Sequence, residues 1–337
     1  MTTPERPKEF RAGREPPVIN LGGAEGPIVH EIADACERWG FFQVVNHDVN
    51  PETIRLFDES VEAFFAQPSD LKRKVKRHAD NSRGWFDDEL TKQTPDFKEV
   101  FDVGEEGDFA IDGTNQWPDE PTRFRTDVKR YFCELETLAL RLAGYLAQAL
   151  SLETQSFDPE LRPNTSFLRI NYYPVCTTRA APEDWNSEEE PKPDKDGVFS
   201  VNRHTDSGML TVLRQREGDP CSLQVFDRVA QRWTRVHPAK GAFIINIGDV
   251  CQVWSNDRFQ SPVHRVLANP EQERYSAPFF LNPSYEAVMQ KRTLDDVPPR
   301  YRPFTWGEFR RRRFEGDLED TGKADVQISD YQIAGRL

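Results

Sequence analysis

The sequence predicts a mainly β protein with flanking helices: a double-stranded β-helix, or jelly roll, joined to an α-rich N-terminal region. Beyond Pro163, eight short β-type runs are separated by turn signals, the pattern of two facing antiparallel sheets. Ahead of them, apolar residues recur at helical spacing, most clearly from Pro121 to about Leu152. A chain of 337 residues with 37% hydrophobic residues and 23 Phe can bury a core of that size. The expected division is a mixed helical region over 1–160 packing on the core, a jelly-roll core over 161–315 and a tail over 316–337.

Taken in order, Pro17-Val18-Ile19-Asn20-Leu21 is a short strand. After Gly22-Gly23, Ile28, Ile32, Cys36 and Trp39 share one face of a helix that Gly40 stops, and the chain is extended again over Phe41–Asn46. Asn50-Pro51 supplies a cap and a first-turn proline to a second helix carrying Ile54, Phe57, Val61 and Phe64. Lys72–Arg77 is expected to be a solvated helix face, and residues 79–120 mostly loop with a strand near Val100–Val103. Phe124, Val128, Leu135, Leu138, Leu142 and Leu146 then align along a long helix suited to bracing a sheet.

The β runs are Phe167–Tyr173, Met209–Leu213, Leu223–Phe226, Trp233–Val236, Ala242–Ile247, Val250–Trp254, Val263–Leu267 and Tyr275–Leu281. Thr177–Gly197 interrupts them with charged and proline-rich sequence, expected as a surface loop at the mouth of a site. Thr305-Trp306-Gly307-Glu308 has the spacing of a capping box, ahead of a basic helix with Arg310–Arg313 that would cover one end of the barrel.

Charge excludes some functions. A formal charge of -13 repels phosphate backbones and anionic lipid, so neither nucleic acid nor a membrane is an expected partner. No apolar run approaches the roughly 20 residues of a membrane span, and the polar start lacks the apolar core of a signal peptide, so a cytoplasmic protein is expected; a monomer is expected as well. Cys36, Cys133, Cys176, Cys221 and Cys251 are scattered, odd in number and without a C-x-x-C pair, the usage of reduced thiols.

The stretch from Val201 to Ser276 concentrates the chemistry. His204-Thr205-Asp206 offers an imidazole and a carboxylate two residues apart in an extended segment, where alternate side chains point the same way. With His264 on a later apolar strand, they compose the two-histidine, one-carboxylate set that holds non-haem Fe(II) on one face. A second H-x-D, His78-Ala79-Asp80, sits beside a Lys/Arg cluster that would oppose a dication and is taken as surface. Arg274 and Ser276 share a strand face, and a buried guanidinium beside a hydroxyl makes a carboxylate receptor. By the same parity Phe280, Asn282 and Arg169 are candidates for the substrate pocket, with Arg169 suited to an anionic or polyhydroxylated molecule.

The order and spacing of several further motifs resemble the iron(II)- and 2-oxoglutarate-dependent dioxygenases of the isopenicillin N synthase-like family. They are Pro17–Leu21, Trp39–Val49, Asn171-Tyr172-Tyr173-Pro174-Val175-Cys176, His204-Thr205-Asp206, Gly241–Asp249, Ser261–Val266 and Arg274–Phe280, spanning about residues 16 to 315. Asn20 and Asp48 stand where the family usually has Asp and Gly. The resemblance implies Fe(II), 2-oxoglutarate and O2 as reactants, with Arg274 and Ser276 on the far carboxylate of 2-oxoglutarate, Tyr173 assisting and Asn171 lining the site. It implies oxidative decarboxylation coupled to hydroxylation, desaturation or ring closure of a small molecule, within secondary metabolism. An oxidase that uses no 2-oxoglutarate is the nearer alternative, and a non-catalytic jelly-roll binding protein the remoter one.

Overall fold

The alternating runs close into two sheets because each has one apolar face to bury. The computed structural model describes residues 15–91, 94–107, 111–176, 199–318 and 326–333. β1 (Val18–Asn20), α1 (Glu25–Arg38) and β2 (Phe41–Val45) lead into α2 (Pro51–Phe65) and α3 (Ser69–Lys72). β3 (Gly84–Phe86), β4 (Leu90–Thr91), β5 (Thr94–Pro95) and β6 (Glu99–Gly104) precede α4 (Phe124–Ala149) and α5 (Asp158–Leu161). The remaining strands are β7 (Phe167–Tyr173), β8 (Phe199–His204), β9 (Leu210–Gln215), β10 (Leu223–Asp227), β11 (Arg232–Arg235) and β12 (Phe243–Ile247). After α6 (Asp249–Trp254) come β13 (His264–Leu267), β14 (Arg274–Leu281), β15 (Val288–Met289), β16 (Phe304–Thr305) and α7 (Trp306–Leu318).

The larger sheet has the order β1-β2-β12-β9-β14-β7-β6-β3, and the smaller has β11-β10-β13-β8. Phe41, Tyr173, Leu213 and Ile244 from the first and Val201, Leu223, Val225 and Val266 from the second pack together between them. On the other side of the large sheet α4 lies against β9, β14, α1 and α2, burying Val128, Leu135, Leu138, Leu142 and Leu146, as its helical period requires. The N-terminal region also extends the sheet itself, with β1 and β2 at one edge and β6 and β3 at the other.

Local chemistry sets several boundaries. The Asn50 side chain accepts from Glu52 N at 2.9 Å and Pro51 opens α2 without wasting an amide. Gly40 ends the first helical segment at φ 64°, where a Cβ would lie 2.4 Å from the Gln260 carbonyl, so no other residue fits. Thr305 caps α7 by accepting from Glu308 N at 3.2 Å, but the Glu308 carboxylate turns instead to the Tyr331 hydroxyl, leaving half a capping box. Tyr331 stacks on Phe304 at 3.9 Å, so part of the expected tail packs against the body.

Three expectations are corrected. Lys72–Arg77 is a helical turn and a 3-10 turn whose ends are buried: Lys72 Nζ lies 2.5 Å from Glu99 of β6, and Arg77 stacks on Phe86 of β3 at 3.5 Å. Its partners come from the sheet, where a charge count along the chain cannot see them. Residues 79–120 hold more strand than expected, since β3 and β6 both join the large sheet. Val250–Trp254 is helical within α6, because a short apolar run is ambiguous in period and its first amides find acceptors in a neighbouring loop. Asp249 N donates to Asp206 O at 2.8 Å and Val250 N to Gly208 O at 3.1 Å. The Thr177–Gly197 segment lies outside the described residues.

Candidate active site

His204 ends β8 and His264 begins β13, and the two residues are register partners across that ladder. Asp206 follows in the loop that α6 anchors. Its Oδ1 lies 3.5 Å from Nε2 of each imidazole, and the three ligand atoms fall within 4.8 Å of one another. Nδ1 of His204 is 2.8 Å from Asn202 O and Nδ1 of His264 is 3.1 Å from Pro262 O. A carbonyl only accepts, so the satisfied tautomer carries its proton on Nδ1 and leaves Nε2 bare toward the carboxylate. Burial, aided by repulsion from His204, lowers His264 to about 4, which keeps the imidazole neutral and able to ligate.

The carboxylate is itself held. Asp206 Oδ2 accepts from Asn246 Nδ2 at 2.8 Å and from the Thr211 hydroxyl, which leaves Oδ1 facing the histidines. Burial works to raise the Asp206 carboxyl, but the facing imidazoles and the Asn246 amide bring it well below the usual carboxylate range. His204, Asp206 and His264 are the one such cluster among the described residues, and His78 and Asp80 lie exposed on the surface. An N/O donor set with one charge, open toward a cavity, fits a divalent iron.

A cavity of about 230 Å³ extends from these ligands between the sheets. Arg274 lies in it, 2% exposed, with Nη2 donating to Gln215 Oε1 at 3.1 Å and the Tyr173 ring 4.9 Å from the guanidinium carbon. Its Nε and Nη1 are buried and find no acceptor among the described residues. Two unmet donors on a buried guanidinium call for a planar anion, so the residues present fit the distal carboxylate of 2-oxoglutarate. Register explains the grouping: Arg274 pairs with Tyr173 and Ser276 with Asn171 across β14 and β7. Ser276 Oγ accepts from Asn171 Nδ2 and meets the Tyr173 hydroxyl, each at 3.2 Å.

Phe280, Asn282 and Arg169 also line the cavity. Phe280 stacks on Phe167 with ring centroids 4.7 Å apart. Asn282 is tucked under the ligand loop, donating to Thr165 O at 3.3 Å. The Arg169 expectation needs correction: its guanidinium is spanned by Asp102 at 2.9 and 2.7 Å and held by Glu89 at 2.6 Å, so its charge is already neutralised within the protein. Sequence reasoning passed over Thr211, Asn246 and Gln215, although Asn246 belongs to the Gly241–Asp249 motif it had singled out. It also left Lys98 and Arg313 out of the pocket, because neither shows its facing in a local period.

Residues 164–283 match the model of the 2OG-Fe(II) oxygenase superfamily, and residues 16–120 match that of the non-haem dioxygenase in morphine synthesis N-terminal family. Gibberellin 2-beta-dioxygenase 8 of Arabidopsis thaliana is 32% identical over 287 residues, 83% of this chain and 75% of that protein. Hyoscyamine 6-dioxygenase of Hyoscyamus niger is 28% identical over 342 residues, 97% of this chain and 92% of that protein. The crystal structure of JOX2 in complex with 2OG, Fe and JA superposes with a TM-score of 0.79 at 27% identity, covering 97% of this chain and 92% of the other. On these matches the chain belongs to the 2OG-Fe(II) oxygenase superfamily and is an Fe(II)- and 2-oxoglutarate-dependent dioxygenase acting on a small molecule.

Proposed function

We propose that His204, Asp206 and His264 hold the iron, that Arg274 and Ser276 bind the distal carboxylate of 2-oxoglutarate, and that Tyr173 and Asn171 support Ser276. The observation that carries this reading is the buried Arg274, whose Nε and Nη1 find no acceptor among the described residues, in the cavity that His204, Asp206 and His264 also line. When bound, iron with 2-oxoglutarate and O2 supplies the oxidising power: 2-oxoglutarate becomes succinate and CO2, and one oxygen atom goes to succinate and the other to the substrate.

The chain's own residues bind and orient. Asn246 and Thr211 fix which Asp206 oxygen faces the metal, and the Asn202 and Pro262 carbonyls fix the imidazole tautomers. Phe41, Val201, Leu223 and Val266 exclude water along the wall beside the reacting centre. Phe280 and Asn282 belong to the substrate end of the same cavity, and the oxidised position is a C–H bond brought near His204 and His264. A cytoplasmic monomer in secondary metabolism suits the acidic composition, the absence among described residues of a helix able to cross a membrane, and relatives such as hyoscyamine 6-dioxygenase.

Metal content and cosubstrate affinity test the assignment together. His264→Ala should lose its Fe(II), whereas Arg274→Ala should keep it and bind 2-oxoglutarate on the order of a hundredfold more weakly, as expected for a lost bidentate charge-assisted contact. Arg274→Lys should recover only part, since an ammonium has no planar fork. Full iron in His264→Ala, or unchanged 2-oxoglutarate affinity in Arg274→Ala, overturns the assignment.

A further inference from the structure

Five cationic side chains line the cavity: Lys98, Arg169, Arg274, Arg310 and Arg313. Three of them are neutralised within the protein. Lys98 pairs with Glu89 at 2.6 Å and Asp96 at 3.0 Å, Arg169 with Glu89 and Asp102, and Arg310 with Asp112 at 2.8 Å. The other two have no carboxylate in ion-pair contact among the described residues. Arg274 is committed to 2-oxoglutarate by the reading above, which leaves Arg313.

Arg313 is placed for recognition. It lies one helical turn beyond Arg310 on the face of α7 that the cavity meets, while Arg312 reaches away to the Tyr331 hydroxyl at 3.0 Å. Its Nη1 donates to the Val326 carbonyl at 3.1 Å, a neutral contact that steadies the side chain without cancelling its charge. Asp249 feels that charge from beneath the site, but the two form no ion pair. On the α7 side the cavity wall is aromatic: Phe280 stacks on Phe167 with ring centroids 4.7 Å apart, and the Arg310 guanidinium lies 5.6 Å from the Phe167 ring. A guanidinium with no carboxylate partner among the described residues, in a cavity with that aromatic wall, matches a molecule with one planar anion and an apolar body.

We infer that Arg313 binds a carboxylate of the primary substrate, so that the enzyme oxidises a small monocarboxylic acid with an apolar body. The inference rests on the proposed cosubstrate site, because 2-oxoglutarate held at Arg274 and the metal cannot also occupy Arg313. A carboxylate held at Arg313 would fix one end of the acid in the cavity and leave its apolar portion to reach the metal ligands.

The test uses the full chain, loaded with Mn(II) in place of iron so that nothing turns over. 2-Oxoglutarate is titrated first by calorimetry and then kept saturating, which blocks Arg274. The probes are octanoate, 3-phenylpropanoate and 4-phenylbutanoate, each against its primary amide, which has the same shape without the charge. At least one acid should bind about tenfold or more tightly than its amide, the size of one charge-assisted contact. Arg313→Gln should erase that preference while leaving 2-oxoglutarate affinity intact. Arg313→Lys should retain part of it, and Arg312→Gln all of it. Arg313→Met serves as the same readout if the glutamine variant fails to fold. A preference that survives in Arg313→Gln overturns the inference, as does a wild type that prefers no acid of the series over its amide. Failure of 2-oxoglutarate to bind the wild type in the first titration would overturn the cosubstrate assignment instead, so the two failures are distinguishable.

Discussion

Arg169 and Arg274 sit on neighbouring strands, both with cationic heads in the same cavity, and they have opposite surroundings. Around Arg169 the protein supplies Asp102 in bidentate contact and Glu89 alongside, and Glu89 in turn meets Lys98. Around Arg274 the described residues supply one neutral amide oxygen and leave two donors without an acceptor. The first is neutralised by the protein's own carboxylates, and the second fits the anion-binding role proposed for it. Facing a pocket is therefore not enough to make an arginine a ligand-binding residue; what matters is whether its charge is already cancelled. The same contrast recurs on α7, where Arg310 is paired with Asp112 and Arg313 with a carbonyl.

The comparison breaks most visibly if partners are removed. Asp102→Asn removes the bidentate carboxylate from a largely buried guanidinium and leaves it Glu89 alone, so it should lower unfolding free energy by about 3 kcal/mol, read by denaturant melts. Arg274→Gln should leave the ligand-free protein within about 1 kcal/mol of wild type, since no ion pair is lost. Equal losses from the two variants would show that Arg274 has a hidden structural partner.

Ligand linkage sharpens the receptor side. At a hundred times its Kd, 2-oxoglutarate should stabilise the metal-loaded wild type by about 2.7 kcal/mol and Arg274→Gln scarcely at all at the same concentration. Calorimetric melting with and without the cosubstrate measures this, and equal stabilisation of both proteins would remove Arg274 from the site.

Acid tests the wall side. Burial works to raise the Asp112 carboxyl, but Arg310 and Arg83 overcome it and hold the group at about 2, below its ordinary 3.8. Because the folded value is the lower one, its contribution is fully present above pH 3.8 and is lost as pH falls toward 2, roughly 2 kcal/mol in all. Stability followed from pH 5 to pH 2 should show that loss, and Asp112→Asn should flatten it. The smallest effect expected is that of Thr305→Ala, which removes the cap of the helix carrying Arg310 and Arg313 and should cost about 1 kcal/mol by thermal melting.

Much of the architecture was legible because it follows from local period. The alignment of Val128, Leu135, Leu142 and Leu146 on one helical face, and the alternation of Arg274 and Ser276 against Tyr275 on β14, depend on spacing along a few residues. His204 and Asp206 stood out for a similar reason, their residue types two apart in an extended segment, and His264 by its residue type on a later apolar strand. The short run Val250–Trp254 was misread because five apolar residues satisfy a strand and a buried helix alike.

What the sequence by itself determined was therefore which side chains face inward and which of them can ligate. Only the tertiary structure decided what those side chains meet. Asp102 lies 67 residues from Arg169 and Glu89 lies 80 away, Asn246 lies 40 from Asp206, and Val326 reaches Arg313 from beyond the end of α7. Facing is a property of backbone geometry over two to four residues, whereas compensation of a buried charge is settled by groups that come together only when distant strands and helices pack.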